Sequence, residues 1–273
     1  MSSDREDMAM ERYNLQQIRD YWTRQAVQWG RSSSASWSDR MVMEMEVHEI
    51  GRRLSDGDRV LDIGCANGFS TIRFAQHKEL IVRGLDYIPE MVDQARLQLK
   101  DADERVRRRI QFEVGDITAL QEPSEAYDKI IVIRVLINLQ DWDRQVLALR
   151  ECIRVLRRGG RLLLSEATMQ GWLQLNRFRR EWGLPDIPMP PFNLYVDQDA
   201  VVQTVAPELE LIEISDFASS YYVGTRVLKP LLAKALGAPI DVSDPNMEWN
   251  RWCAQLPAAG NYGTQKLFVF EKR

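Results

Sequence analysis

The stretch from Arg59 to Thr71, Arg-Val-Leu-Asp-Ile-Gly-Cys-Ala-Asn-Gly-Phe-Ser-Thr, restricts what this chain can fold into more than any other. A Gly-Asp turn at Gly57–Asp58 precedes Val60, Leu61 and Ile63, whose branched and apolar side chains predict a short buried strand. Gly64, Cys65, Ala66, Asn67 and Gly68 then make a tight small-residue turn. A helix is predicted from Phe69 to Gln76, with Ile72 and Ala75 facing inward. Such a unit is a ligand seat: glycine lets the backbone come close, and the first helical turn presents free N–H groups with a partial positive charge. The spacing is similar to a dinucleotide fingerprint. Asp62 argues for a different ligand, because a carboxylate at the strand end repels a pyrophosphate and suits an ammonium group.

Downstream, strand and helix patterns alternate. Leu80 to Leu85 reads as the second strand and ends in Asp86, an acid placed to accept from two ribose hydroxyls. Tyr87 follows, positioned to lie against a base. Ile88, Met91, Val92, Ala95 and Leu99 mark a helix with Pro89 in its first turn. Ile110 to Val114 reads as a third strand, ending at Gly115-Asp116-Ile117. Tyr127 to Ile133 is a continuous apolar run, the signature of a central parallel strand covered on both faces. Val146, Leu149, Ile153 and Leu156 set a helix face that is expected to stop at Leu156-Arg157-Arg158-Gly159-Gly160, with glycine as a left-handed cap. Arg161 to Ser165 is the fifth strand, with Glu166 at its end. This alternation predicts parallel βαβ units and a doubly wound α/β sheet.

Ahead of the first strand, residues 1–10 read as a loose polar arm. An amphipathic helix is predicted over Tyr13–Trp29, and a second runs from a cap at Ser38 or Asp39 to about Leu54. Residues 1–54 are therefore expected to form an N-terminal helical extension or lid, and residues 55–273 the main domain. Beyond Met169 a basic aromatic helix and a proline-rich bend precede a sixth strand at Glu210–Ile214. Lys266–Phe270 is expected to return antiparallel as the last of seven strands. Segments 169–197 and 217–263 are then helical cap insertions.

The run from Asp62 to Gly68 resembles motif I of the class I S-adenosylmethionine-dependent methyltransferases, whose usual form is Asp-x-Gly-x-Gly-x-Gly. Here Ala66 replaces the middle glycine. Asp86, Asp116 with Ile117, and the Gly159-Gly160 turn follow in the family's order, so the resemblance covers about residues 55–166. It implies S-adenosyl-L-methionine as cofactor and S-adenosyl-L-homocysteine as product. The cofactor residues it implies are Asp62, Gly64, Cys65, Ala66, Gly68, Asp86, Tyr87, Asp116 and Ile117. Arg134 is a further candidate for cofactor or substrate, with a structural salt bridge as the alternative. No Asn/Asp-Pro-Pro-Tyr-type signature follows the fourth strand, which favours a small-molecule acceptor over DNA or protein glutamine. The implied reaction is in-line methyl transfer to an O, N or C atom of a small metabolite, in natural-product or saccharide biosynthesis. His48 is the candidate base, with a surface or core histidine as the alternative; Glu166, Tyr195, Tyr221 and Tyr222 are other candidates, and His77 reads as structural. Tyr195, Tyr221 and Tyr222 are candidate acceptor contacts, with plain core packing as the alternative. A nicotinamide-dependent Rossmann oxidoreductase and a catalytically silent S-adenosylmethionine-binding protein are the competing classes.

The net charge of -4 and pI near 5.5 give no basic footprint for nucleic acid. Cys65, Cys152 and Cys253 are far apart without a Cys-x-x-Cys, so neither a disulfide framework nor a metal site is expected, and a reducing compartment fits. Met1 to Asp7 lacks an apolar signal core, and no run reaches membrane-spanning length. A cytoplasmic protein with no membrane partner is the expectation. Oligomeric state is not set by these features.

Overall fold

A computed structural model describes residues 12–237 and 242–273; the polar arm at residues 1–10 lies outside them. In chain order the elements are α1 (Leu15–Trp29), α2 (Arg40–Gly51), β1 (Arg59–Ile63), α3 (Phe69–His77), β2 (Ile81–Asp86), α4 (Pro89–Lys100), α5 (Glu104–Arg107), β3 (Ile110–Val114) and β4 (Tyr127–Ile133). They continue with α6 (Trp142–Val155), β5 (Leu156–Ala167), α7 (Met169–Glu181), α8 (Gln198–Val205), β6 (Leu209–Ser215), α9 (Ser219–Val223), α10 (Lys229–Leu236), α11 (Glu248–Cys253) and β7 (Gln265–Lys272). A π-helical turn, Gly224–Leu228, joins α9 to α10.

The strands form one seven-stranded sheet in the order β3-β2-β1-β4-β5-β7-β6. β1 to β5 are parallel, and β7 enters antiparallel between β5 and β6. This is the doubly wound arrangement that the alternating pattern predicts. The side-chain period of two divides the core. Val60, Val82, Ile131, Leu163 and Val269 face one side, where α2, α3 and α4 cover them through Val47, Ile50, Ile72, Phe74 and Val92. Leu61, Ile63, Ile130, Val132, Leu164 and Phe270 face the other, under α6 and α8 through Leu149, Cys152, Val201 and Val205. β4, buried on both faces, explains why its sequence is an unbroken apolar run.

The helix ends follow local chemistry. Asn14 and Gln17 make a reciprocal capping box for α1. Asp39, Asp141, Thr168 and Asp197 each accept a backbone N–H at the start of α2, α6, α7 and α8. One expected feature differs. α6 ends on Leu156 in extended conformation, not on a glycine cap. Gly159, with φ +69°, lies inside β5 at a bulge that shifts the register between β4 and β5. The chain turns straight from helix into strand, and the glycine absorbs the extra residues there. Among the described residues no helix is long and apolar enough to cross a membrane.

Candidate functional site

In an open parallel sheet a ligand crevice opens at the C-terminal strand ends where the winding reverses. Here that point lies between β1 and β4, and a cavity of about 790 Å³ opens there. The β1–α3 turn forms its near wall. Gly64 has φ +75°, and a Cβ on it would sit 2.2 Å from Val135 Cγ2, so only glycine lets this turn touch the loop after β4. Gly68, at φ +80°, does not line the cavity; its missing side chain admits Phe112 Cζ, 2.8 Å from where a Cβ would stand. Ala66 takes φ +47°, the left-handed region in which glycine is at ease. Its methyl packs with Trp22, Ala26, Ala35, Ile88 and Met91, a small cluster joining α1 to α4 over the turn.

Three carboxylates stand at successive strand ends. Asp62 is buried and accepts from the Thr71 hydroxyl one helical turn into α3. Burial raises its pKa to about 7, against the pull of Thr71, and Asp86 adds to the rise. Asp86 accepts the Ala66 amide on Oδ2 (2.8 Å) and the Ile88 amide on Oδ1 (2.9 Å). Burial lifts it to about 6 against those two bonds. Asp116 folds back on Thr118, whose amide and hydroxyl both donate to Oδ1. Its Oδ2 has no protein partner among the described residues. All three line the cavity with Cys65, Tyr87 and Ile117. Burial pushes the Cys65 thiol well up, aided by Asp86 and Asp62, so it is held as a thiol. Tyr87 is half exposed at the rim under the Arg19 guanidinium, 5.2 Å from its ring.

Arg134 lines the cavity floor with φ +53°, another non-glycine residue in the left-handed region. Its guanidinium pairs with buried Glu46 of α2 and lies 4.7 Å over the Trp37 ring. Glu46 also accepts from the Ser165 hydroxyl and from Gln265 Nε2 (3.1 Å), which joins α2, β5 and β7 in one polar knot. The strain at Arg134 is held by this knot and by its own amide bonding to the Ser165 carbonyl at 2.8 Å. Arg134 is thus a salt-bridge partner that also lines the cavity.

Glu166 is not free to act as a base. It is wholly buried, and its carboxylate caps the turn Leu136–Asn138 by accepting from the amides of Val135 (2.8 Å) and Leu136 (2.7 Å). Burial raises it to about 8 against those bonds. His48 is a correction as well. It lies on the outer, exposed face of α2 and does not line the cavity, because the inward positions of that helix are Glu46, Val47 and Ile50. Tyr221 is a third. It is buried outside the cavity, donating to Asp39 (2.8 Å) and accepting from Asn250 Nδ2 (3.0 Å). Tyr195 and Tyr222 do line it. Burial pushes Tyr195 up to about 12 and raises Tyr222 too, so both remain neutral phenols.

The aromatic wall is wider than the sequence indicates. Tyr21 stacks on Phe192 at 4.3 Å, and Trp172 meets Tyr195 edge-on at 6.3 Å. Trp22 Nε1 donates to Asn138 at 3.0 Å, fastening α1 over the cavity. Thr71, Trp37, Asn138, Gln265 and Arg226 are residues of the site or its support that sequence reasoning did not single out. A lone arginine inside the apolar run from Tyr221 to Leu228 was the available signal for the last.

The family model described as a methyltransferase domain matches residues 54–183. The chain is 36% identical over 149 residues to the 27-O-demethylrifamycin SV methyltransferase of Amycolatopsis mediterranei, covering 50% of this chain and 52% of that protein. It is 34% identical over 140 residues to the aklanonic acid methyltransferase of Streptomyces sp. strain C5, covering 48% and 60%. The matched region thus spans about half the length of these curated relatives. The magnesium protoporphyrin IX methyltransferase of Synechocystis PCC 6803, solved with bound SAH, shares the fold with a TM-score of 0.63 at 15% identity, over 95% of this chain and 100% of that one.

Proposed function

We propose, from the premise that residues 54–183 belong to the class I S-adenosylmethionine-dependent methyltransferases, that this protein methylates a small, ring-bearing molecule on oxygen. One observation carries the reading: Asp62, Asp86 and Asp116 stand at the ends of adjacent strands β1, β2 and β3, or just beyond, and line one cavity. The donor set fits the nucleoside in order. Asp62 would accept from its ammonium group, Asp86 from the ribose hydroxyls, and Asp116 with the Ile117 amide would meet the adenine edge, with Tyr87 against the base. Each carboxylate oxygen has a second lone pair beyond the bonds it already accepts. When bound, the sulfonium supplies an activated methyl group.

The chain's own work is to orient and to keep water out. Trp22, Tyr21 and Phe192 line the cavity from the α1 side, and we place the acceptor end against Trp172, Tyr195 and Tyr222, which line it as well. We assign the N-terminal helices and the insertions at 169–197 and 217–263 to shaping that acceptor end. The relative named for a 27-O position supports oxygen as the acceptor atom, and the aromatic wall supports a flat, apolar body. Because His48 and Glu166 are unavailable, neither is assigned as base.

Calorimetric titration with S-adenosylmethionine, S-adenosylhomocysteine and NAD tests the reading, followed by S-adenosylhomocysteine release on a panel of ring-bearing phenols, acids, amines and alcohols. Binding of the first two with methylated product is the expected result. NAD binding in their place would replace it with the oxidoreductase reading. Nucleoside binding with no product from any acceptor would favour a silent binding protein.

A further inference from the structure

Arg226 lines the same cavity, on the π-helical turn Gly224–Leu228, far along the chain from the residues assigned to the nucleoside. Such a turn inserts one extra residue into a helix and is frequently found at functional sites. This one is braced on several sides. Trp249 Nε1 donates to the Gly224 carbonyl at 2.9 Å, and a Cβ on Gly224 would stand 2.5 Å from Cys253 Sγ. Arg179 donates to the Arg226 carbonyl. The guanidinium is equally fixed: Nη2 donates to Asp39 Oδ2 (2.6 Å), Nη1 to Thr225 Oγ1 (2.6 Å), and the Tyr221 and Tyr222 rings lie 5.3 and 4.8 Å away.

A guanidinium has five N–H donors, and these contacts use two. Nε and the remaining hydrogens on Nη1 and Nη2 have no partner among the described residues, and 22% of the side chain's surface stays accessible. Asp39 holds the group ionised and in place, the Tyr222 ring lies against it, and Tyr195 and Trp172 line the same cavity. Resting on the methyl-transfer reading of this cavity, we infer that Arg226 is a specificity-determining residue that binds an ionised oxygen, a carboxylate or an enolate, carried by an aromatic acceptor. Its fixed fork matches two oxygens at once, which a lysine ammonium does not. The nucleophile itself and the group held by Arg226 need not be the same atom.

The test uses 2-naphthoate as probe, against 2-naphthylmethylamine of matching shape, titrated into the full chain saturated with S-adenosylhomocysteine. Naphthoate is expected to bind at least about ten times tighter than the amine. Arg226→Lys keeps the charge and the pairing with Asp39, and is expected to weaken naphthoate about tenfold while leaving S-adenosylhomocysteine affinity and amine binding unchanged. Equal binding of the two probes by the wild type, no binding of naphthoate, or undiminished naphthoate binding by Arg226→Lys would each overturn the inference. The wild-type comparison needs no variant and stands if Arg226→Lys fails to fold. If S-adenosylhomocysteine does not bind, the methyl-transfer reading fails. The same two probes on the unliganded protein then still decide whether Arg226 selects an anion.

Discussion

Three buried acids set how this site responds to pH. Asp62, Asp86 and Glu166 titrate higher in the fold, up to about 7, about 6 and about 8, than in an unfolded chain. From about pH 4 to 8 these groups therefore bind more protons in the folded protein than in the unfolded one, and their contribution to the free energy of unfolding falls as pH rises through that window. The unliganded protein is expected to melt higher at about pH 5.5 than at about pH 7.5, with a shallower difference in Asp62→Asn. Ligand binding has the opposite sign. An ammonium group requires ionised Asp62, so S-adenosylmethionine affinity should fall below about pH 7, by at most about tenfold per unit from this group. Calorimetry in buffers of different ionisation enthalpy should detect proton release. The turn beside Asp62 makes a sharper distinction. Gly64→Ala forces a Cβ into Val135 and should cost about 2 kcal/mol or more, whereas Ala66→Gly should change stability by less than about 1 kcal/mol. In the latter, relief of the left-handed φ offsets the lost methyl packing and the greater freedom of the unfolded chain; urea melts separate the two variants. His48→Ala, on the outer face of α2, should leave both turnover and S-adenosylhomocysteine affinity intact.

At the scale of elements, the loop after β4 depends on a residue from the end of β5. Glu166 holds Val135 and Leu136 by their amides, and Val135 in turn fills the space that Gly64 leaves. Glu166→Ala removes an acceptor from buried amides and is expected to cost about 2–4 kcal/mol. Turnover should drop further than nucleoside affinity, because Val135, Ile137 and Asn138 of this loop line the cavity, while the acids assigned to the nucleoside stand on β1, on β2 and after β3. Glu166→Gln keeps one acceptor oxygen and should recover part of both losses; denaturant melts and single-turnover rates provide the readout. The order and type of the strands and helices in this region were legible from the sequence because its strands are buried on one or both faces and each helix carries a single apolar stripe, but β5 begins at Leu156, ahead of the expected Arg161. The cap on α6 was not legible. A Gly-Gly pair after a helix reads equally as a helix terminus or a strand bulge, and only pairing with β4 selects the bulge.

Across the whole molecule, Asp39 links parts of the chain that are distant in sequence. It caps α2, accepts from Tyr221 and pairs with Arg226, so α2 is locked to α9 and to the π-helical turn that lines the cavity. Tyr221 serves that lock. Tyr221→Phe should lower stability by about 1–2 kcal/mol, since it leaves Asp39 and Asn250 each short of a partner, while nucleoside affinity stays within about twofold of wild type. Thermal melts alongside a binding titration would check both halves of that expectation. The polar knot of Glu46, Arg134, Ser165 and Gln265 performs a similar task beneath the floor, joining α2 to the neighbouring strands β5 and β7.

Local order along the chain was enough to specify the sheet, the strand-end acids and the turn that opens α3. Each rests on periodicity and on residues adjacent in sequence: Asp62 and Asp86 lie within the last two residues of β1 and β2, and Asp116 two residues beyond β3. The acceptor end depends on contacts across long stretches of chain. Which face of α2 turns inward, and so whether Glu46 or His48 meets the cavity, is decided by packing against α3 and the sheet. Which tyrosine of the Tyr221-Tyr222 pair reaches the cavity is likewise decided by Asp39, lying 182 residues earlier. No spacing rule reaches that far, because the energy that selects between the two orientations exists only once the distant partners are in place.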